Sequence, residues 1–294
     1  MGDSQKRGKM NTKERMKAVF GFQTPDKVPL MEVCFWPETV QRWHNEGLPN
    51  DIYPTNYFNM DMNKITWMGY NNSFRFEAKV LEETDEYVVS QDENGATVKT
   101  WKHSYATPAL TDCMIKTHAD WNKHKARLVM DESRIPANIP ETNKQYQAND
   151  IFCFFSSEEP CWSTFRKHGH EQTLINMLDE PELIYDMIGT HAQMVIDACK
   201  LMMDKGMRFD GAWLWSDLAY KNGLLFSPKT YRELILPHHS KVFEFFNQNN
   251  IPSVMHCDGD VREFIPLLIK AGLTAIQPLE ARAGNDIREL RIGN

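Results

Sequence analysis

A parallel (β/α) barrel is the fold class this sequence predicts, and three observations carry it. From residue 150 onward, short apolar runs of strand character alternate with longer amphipathic runs of helical character, the pattern of parallel βαβ units. No GxGxxG or GxxxxGK follows any of the strand-like runs, so a nucleotide-binding doubly wound sheet lacks its phosphate signature. The chain has 294 residues, 41% of them hydrophobic, enough to bury one large core.

The elements follow in order. Residues 1–10 are charged and read as a solvated tail, leaving 11–294 as one domain. Asn11 with Glu14 resembles a capping box, so a first helix starts there. "DKVPLMEVCF" reads as a buried strand from Val28 to Cys34, and "PETVQRWHNEGLP" as a helix stopped by Gly47 and Pro49. Over 73–105 apolar and polar residues alternate around "ENGA", whose Asn-Gly pair is a hairpin signal; this predicts an antiparallel insertion. "DWNKHKARL" reads as an exposed helix, and the Pro-, Asn- and Gln-rich stretch 131–149 as a long connector. "DIFCFF" is a strand. A helix over 179–205 follows, with its stripe at positions 184, 187, 188, 191, 194, 195, 198 and 202. Then come the strand "FDGAWLW", a helix from Pro228 capped by Ser227, the strand "IPSVMH", a helix over 261–271, and the strand "LTAIQPL".

Composition excludes several functions. A formal net charge of −7 gives no basic footprint for nucleic acid. No apolar run approaches the roughly 18 residues of a membrane span. The N-terminus has no apolar signal region, and the six cysteines include no CxxC pair, which suits reduced thiols and a cytoplasmic location.

In barrels of this kind chemistry sits at the C-terminal ends of the strands, and polar groups stand at several such ends here. In "HCDGD", strand alternation turns His256 and Asp258 to one side and Cys257 to the other. A histidine and a carboxylate converging there serve as an acid–base pair or as two metal ligands. Cys257 reads as a small buried residue, Gly259 as a sharp turn beside a ligand, and Asp260 with Glu263 as a capping box. Trp213, Trp215 and Asp217 share a parity. Trp213 then belongs to the core and Trp215 to the pocket wall, while Asp217 is either a mouth residue or the cap of the next turn. Glu280, after "IQPL", is either a site residue or a solvated loop residue. Glu32 is a lone carboxylate within an apolar run and needs a partner or a task. His238 and His239 show no metal-ligand spacing and read as surface residues of a helix.

With those residues placed, the sequence resembles the uroporphyrinogen decarboxylase superfamily. The resemblance rests on "NTKERMKAVFGFQTPDKVPL", "SDLAYKNGLLFSPKTYRELILP" and "PSVMHCDGDVREFIPLLIKAGLTAIQPLEARAGND". It implies a (β/α)8 TIM barrel with the site in its mouth. Relatives continue through two further strand–helix units beyond "IRELRIGN". The resemblance therefore implies an incomplete barrel, and with it an oligomer or a separately encoded C-terminal part. One branch of the superfamily decarboxylates uroporphyrinogen III without a cofactor, gripping its carboxylates with an arginine-rich motif after the first strand. Here that region reads "MEVCFWPETVQRW", with Arg42 alone. The other branch moves methyl groups to or from a corrinoid, with zinc on a His-x-Cys pair and a later cysteine. In that pattern Asp258 takes the position of the zinc cysteine. The resemblance thus implies a methyltransferase acting between a small methylated substrate and a corrinoid (cobalamin) protein. His256, Asp258, Asp217 and Glu280 would be its catalytic residues, Glu32 and Trp215 would contact substrate, and His256 with Asp258 would hold a zinc ion. The alternatives are a uroporphyrinogen decarboxylase and an inactive, binding paralogue.

Overall fold

The computed structural model describes residues 9–103 and 107–293. Eleven strands occur in it: β1 (Ile65–Met68), β2 (Lys79–Glu83), β3 (Tyr87–Gln91), β4 (Ala96–Trp101), β5 (Ala109–Cys113), β6 (Phe152–Glu158), β7 (Gly211–Trp215), β8 (Ala219–Tyr220), β9 (Gly223–Leu224), β10 (Ser253–His256) and β11 (Ala275–Gln277). Five of them form a parallel sheet in the order β1-β6-β7-β10-β11, with helices in the connections. Strands β2 to β5 form a separate antiparallel sheet, so the predicted insertion is present and larger than one hairpin. Among the described residues the parallel sheet does not close; β1 and β11 are its edges.

Parallel strands with both faces covered read as continuous apolar runs, because both faces are dry. "FCFFSSE" shows this. Phe152 and Phe154 join Ile65, Trp213 and Val254 on the inward face, while Cys153 and Phe155 face the helices. The outer face is covered by the helix Pro181–Asp204, and all eight positions of its predicted stripe are buried. Each large apolar side chain so enclosed contributes about 1.5–3 kcal/mol. No helix among the described residues is long and apolar enough to cross a membrane.

Several elements differ from expectation. Residues 28–34 are not a strand: Val28 is 83% exposed, and Leu30 exchanges backbone contacts with Asp61, its N–H meeting Oδ2 and its carbonyl the Asp61 N–H. Asp61 is itself buried beside Arg15 and Thr12, so a carboxylate occupies the place of a neighbouring strand. Residues 131–149 are not a connector; Ile139–Ala148 is a helix with Pro140 in its first turn, where a missing N–H costs nothing. Its one buried anchor, Ile139, leaves no apolar stripe to read. The helices Pro160–His168 and His170–Asp179 were likewise not expected. Most of the 1–10 tail lies outside the described residues, but Met10 is tied to Asp26 through its N–H.

Candidate functional site at the strand ends

The register of the sheet sets up the site. Glu158 stands opposite Trp215, and His256 opposite Gln277. The β7–β10 ladder, pairing Met255 with Leu214, brings His256 level with Trp215 at its next step. A row of inward side chains therefore runs Glu158, Trp215, His256, Gln277 along the C-terminal rim. Trp215 is half-buried, its indole N–H donates to Ser156 Oγ at 3.0 Å, and its ring centroid lies 5.6 Å from the His256 imidazole.

Beyond the row the loops bring carboxylates to the histidine. His256 Nε2 lies 3.7 Å from Asp217 Oδ1 and 3.8 Å from Asp258 Oδ1. The three ligating atoms all fall within 4.8 Å of one another. Asp217 Oδ1 also accepts the Asp258 N–H at 3.3 Å, so the turn after β7 and the turn after β10 are joined at the cluster. Of the two readings of Asp217, the structure takes the mouth. On the far side of the ring, Nδ1 lies 2.7 Å from Gln277 Oε1. An amide oxygen only accepts, so Nδ1 carries a proton, and Nε2 is the ring nitrogen turned toward the carboxylates.

Burial pushes the Asp217 carboxyl above the usual carboxylate range; the charges of Asp258 and Glu280 add to this, while the Asp258 N–H and His256 oppose it. Cys257 is fully buried on the other face, and burial pushes its thiol up to about 12. It packs away from the cluster, as strand parity predicts.

The loop after β10 is held by a separate set of bonds. Glu280 is exposed, and its Oε2 accepts the Gly259 N–H at 2.6 Å. Buried Asn285 donates to the Gly259 carbonyl at 2.8 Å and accepts the Val261 N–H at 3.1 Å. Ser216 Oγ donates to the His256 carbonyl at 2.6 Å. Gly259 has φ +92°, and a Cβ there would stand 2.6 Å from the Tyr220 carbonyl oxygen. The close approach expected at this glycine is thus to the β8 backbone. Gly259→Ala should cost about 1–3 kcal/mol and displace Asp258; denaturant unfolding of the variant checks the first effect.

Three site expectations need correction. Asp260 makes no capping box with Glu263: its carboxylate accepts from Arg262, whose guanidinium holds it below the usual range, and the helix begins only at Ile265. Glu32 is exposed and accepts the N–H of Val33; no hydrogen bond or ion pair joins it to the cluster. His238 and His239 are buried, not superficial. His239 Nε2 meets Glu159 Oε1 at 2.7 Å and its Nδ1 meets the Tyr231 hydroxyl at 3.0 Å, a chain enclosed behind β6 and β7.

Glu158 and Gln277 were missed, although both stand at strand ends with inward parity. Burial alone would raise the Glu158 carboxyl. Lys167 and Arg166 beside it, with hydrogen bonds from Asn72 and Ser163, outweigh that and hold it at about 2. A carboxylate depressed in the folded state contributes stability that is complete above its unfolded pKa of about 4.3 and is lost as pH falls toward the folded value. Unfolding free energy should therefore fall between those limits, with a contribution of at most about 1.4 kcal/mol per pH unit from this group. Glu158→Gln should flatten that slope in denaturant titrations.

A family model described as uroporphyrinogen decarboxylase (URO-D) matches residues 165–286. No curated protein matches the chain. A solved structure of a methyltransferase from Methanosarcina mazei superposes with a TM-score of 0.53 at 13% identity, covering 90% of this chain and 75% of that one. At that identity the likeness is one of fold. The residues matched by the uroporphyrinogen decarboxylase model contain β7, β10, β11 and the whole cluster, so the part of this chain that carries the site is similar to that family.

Proposed function

We propose that this protein is a methyltransferase moving a methyl group between a small methylated substrate and a corrinoid carried by a partner protein. The observation that carries the reading is the Asp217–His256–Asp258 cluster with its imidazole oriented by Gln277. The fold shared with a structure described as a methyltransferase supports it.

The donor set fits a zinc ion. Separations of 3.7 and 3.8 Å from Nε2 to the carboxylate oxygens are close to the spacing of about 3.3 Å between neighbouring ligands of a tetrahedral ion with bonds of about 2.0 Å. An imidazole whose second nitrogen donates to an oxygen is the usual arrangement of a metal-bound histidine. Two carboxylates make this centre harder than one built on thiolates. A bound zinc would supply Lewis acidity to the substrate heteroatom, which leaves poorly as a free anion. The corrinoid would donate or accept the methyl group.

The remaining work falls to the chain itself. Gln277 holds the Nδ1 proton and so the ring plane. Ser216, Asn285 and Glu280 fix the turns that carry the three ligating groups, which makes Glu280 a positioning residue in this reading. Trp215 walls the pocket beside His256.

An octa-acid such as uroporphyrinogen needs several cations at the mouth, and Asp217, Asp258 and Glu280 are acids. Two measurements test the proposal. Purified protein should contain close to one equivalent of a divalent metal, and should demethylate a methylcorrinoid protein or methylate its reduced form. Conversion of uroporphyrinogen III to coproporphyrinogen, without methyl transfer, would overturn it.

A further inference from the structure

The mouth around the cluster carries an unbalanced charge. Asp217, Asp258 and Glu280 come from the turns after β7, β10 and β11, and they stay open to solvent: the Asp217 side chain is 42% exposed and that of Asp258 56%. Among the described residues no lysine or arginine forms an ion pair with any of the three. Glu158, farther along the same row, differs: Lys167 lies 3.2 Å from it and Arg166 3.5 Å. The excess of negative charge is therefore confined to the His256 end of the rim. Trp215 stands there too, half-buried, with its indole N–H already taken by Ser156. What it can offer a ligand is an aromatic surface with no free polar atom.

We propose that the substrate of this site has a flat, apolar body without negative charge, one that is uncharged or cationic. The inference rests on the methyltransferase reading and names the substrate class that the same mouth accepts. A divalent ion held by His256, Asp217 and Asp258 offsets two of the carboxylates and leaves Glu280 over. An anionic body then meets a carboxylate and no counter-charge. An ammonium group meets Glu280 and the Trp215 ring, both of which attract cations. An uncharged flat body is not repelled and packs on the indole. Glu280 cannot simply swing away, because its Oε2 accepts the Gly259 N–H at 2.6 Å.

Three methoxy compounds of one shape test this on the intact protein at pH 7, with and without zinc: 4-methoxybenzylamine, a cation, 4-methoxybenzyl alcohol, uncharged, and 4-methoxybenzoate, an anion. Binding is read by calorimetry and saturation-transfer NMR, with no corrinoid present. The amine and the alcohol should bind about tenfold tighter than the benzoate. Removing zinc should widen the gap between amine and benzoate. Trp215→Leu, with its fold checked by circular dichroism, should weaken the amine and the alcohol about tenfold. Glu280→Gln keeps an acceptor for the Gly259 N–H but removes the charge, and should bring the amine close to the alcohol. The proposal fails if the benzoate binds as tightly as the alcohol, if none of the three binds, or if Trp215→Leu leaves every affinity unchanged. No methyl transfer enters these readings. Loss of the charge order therefore leaves the methyltransferase reading standing, and an inactive protein that keeps the order overturns that reading alone.

Discussion

On the proposed methyltransferase reading, His256→Ala should abolish methyl transfer and the uptake of a divalent metal, with little loss of fold stability. The imidazole supplies the central ligating atom: Asp217 and Asp258 both approach its Nε2, and two carboxylates left alone would repel each other across a half-buried gap. Its side chain is 20% exposed at the sheet rim, so truncation opens no sealed cavity and should cost within about 1 kcal/mol. Gln277→Leu is the finer probe. It leaves all three ligating groups in place but frees the ring, and loss of such an outer hydrogen bond typically weakens metal affinity by about 10- to 100-fold. Cys257→Ser, on the opposite face, should spare both metal and activity. Metal analysis and turnover of the three variants decide the matter. A metal-free, inactive Cys257→Ser beside a metal-loaded His256→Ala would sink the assignment of the cluster.

Glu159→Ala should be the most damaging single change to stability among the polar residues. Glu159 and His239 are both fully buried, and the carboxylate also accepts the Cys161 and Trp162 N–H groups at the start of the helix Pro160–His168. Removing one partner of a buried, hydrogen-bonded pair costs about 3–5 kcal/mol, because the other is left without water or a substitute. Loss of the cap is part of that figure; alone it is worth about 1 kcal/mol. Glu159→Gln keeps an acceptor and should lose markedly less. Denaturant midpoints measure both, and equal losses for Ala and Gln would show that the bonds to this side chain carry little.

These two expectations draw on different amounts of sequence information. The common facing of His256 and Asp258 was legible, because a strand end and alternate parity can be read from "SVMHCD", whereas "GAWLWSD" left Asp217 open between the mouth and a turn cap. Glu159 and His239 were not. Each lies in a helical context where a polar residue ordinarily faces water, and they meet across 80 residues. Glu32 failed in the opposite sense: the apolar run around it reads as a strand, but its backbone finds Asp61 instead of a neighbouring strand.

By itself the sequence determined the alternation of β6, β7, β10 and β11 with helices, the buried stripe of the Pro181–Asp204 helix, and the opposite facings of His256 and Cys257. Those follow from periods of 2 and 3.6 residues that the chain carries locally. Tertiary structure alone decided that Asp217 lies against Asp258 across 41 residues, that Gln277 accepts a hydrogen bond from the His256 ring across 21, and that His238 and His239 are enclosed. Such meetings depend on the relative register of parallel strands joined by long crossovers, and on which helix face a neighbour covers. Neither leaves a periodic trace in the chain, because both are settled only when distant segments pack.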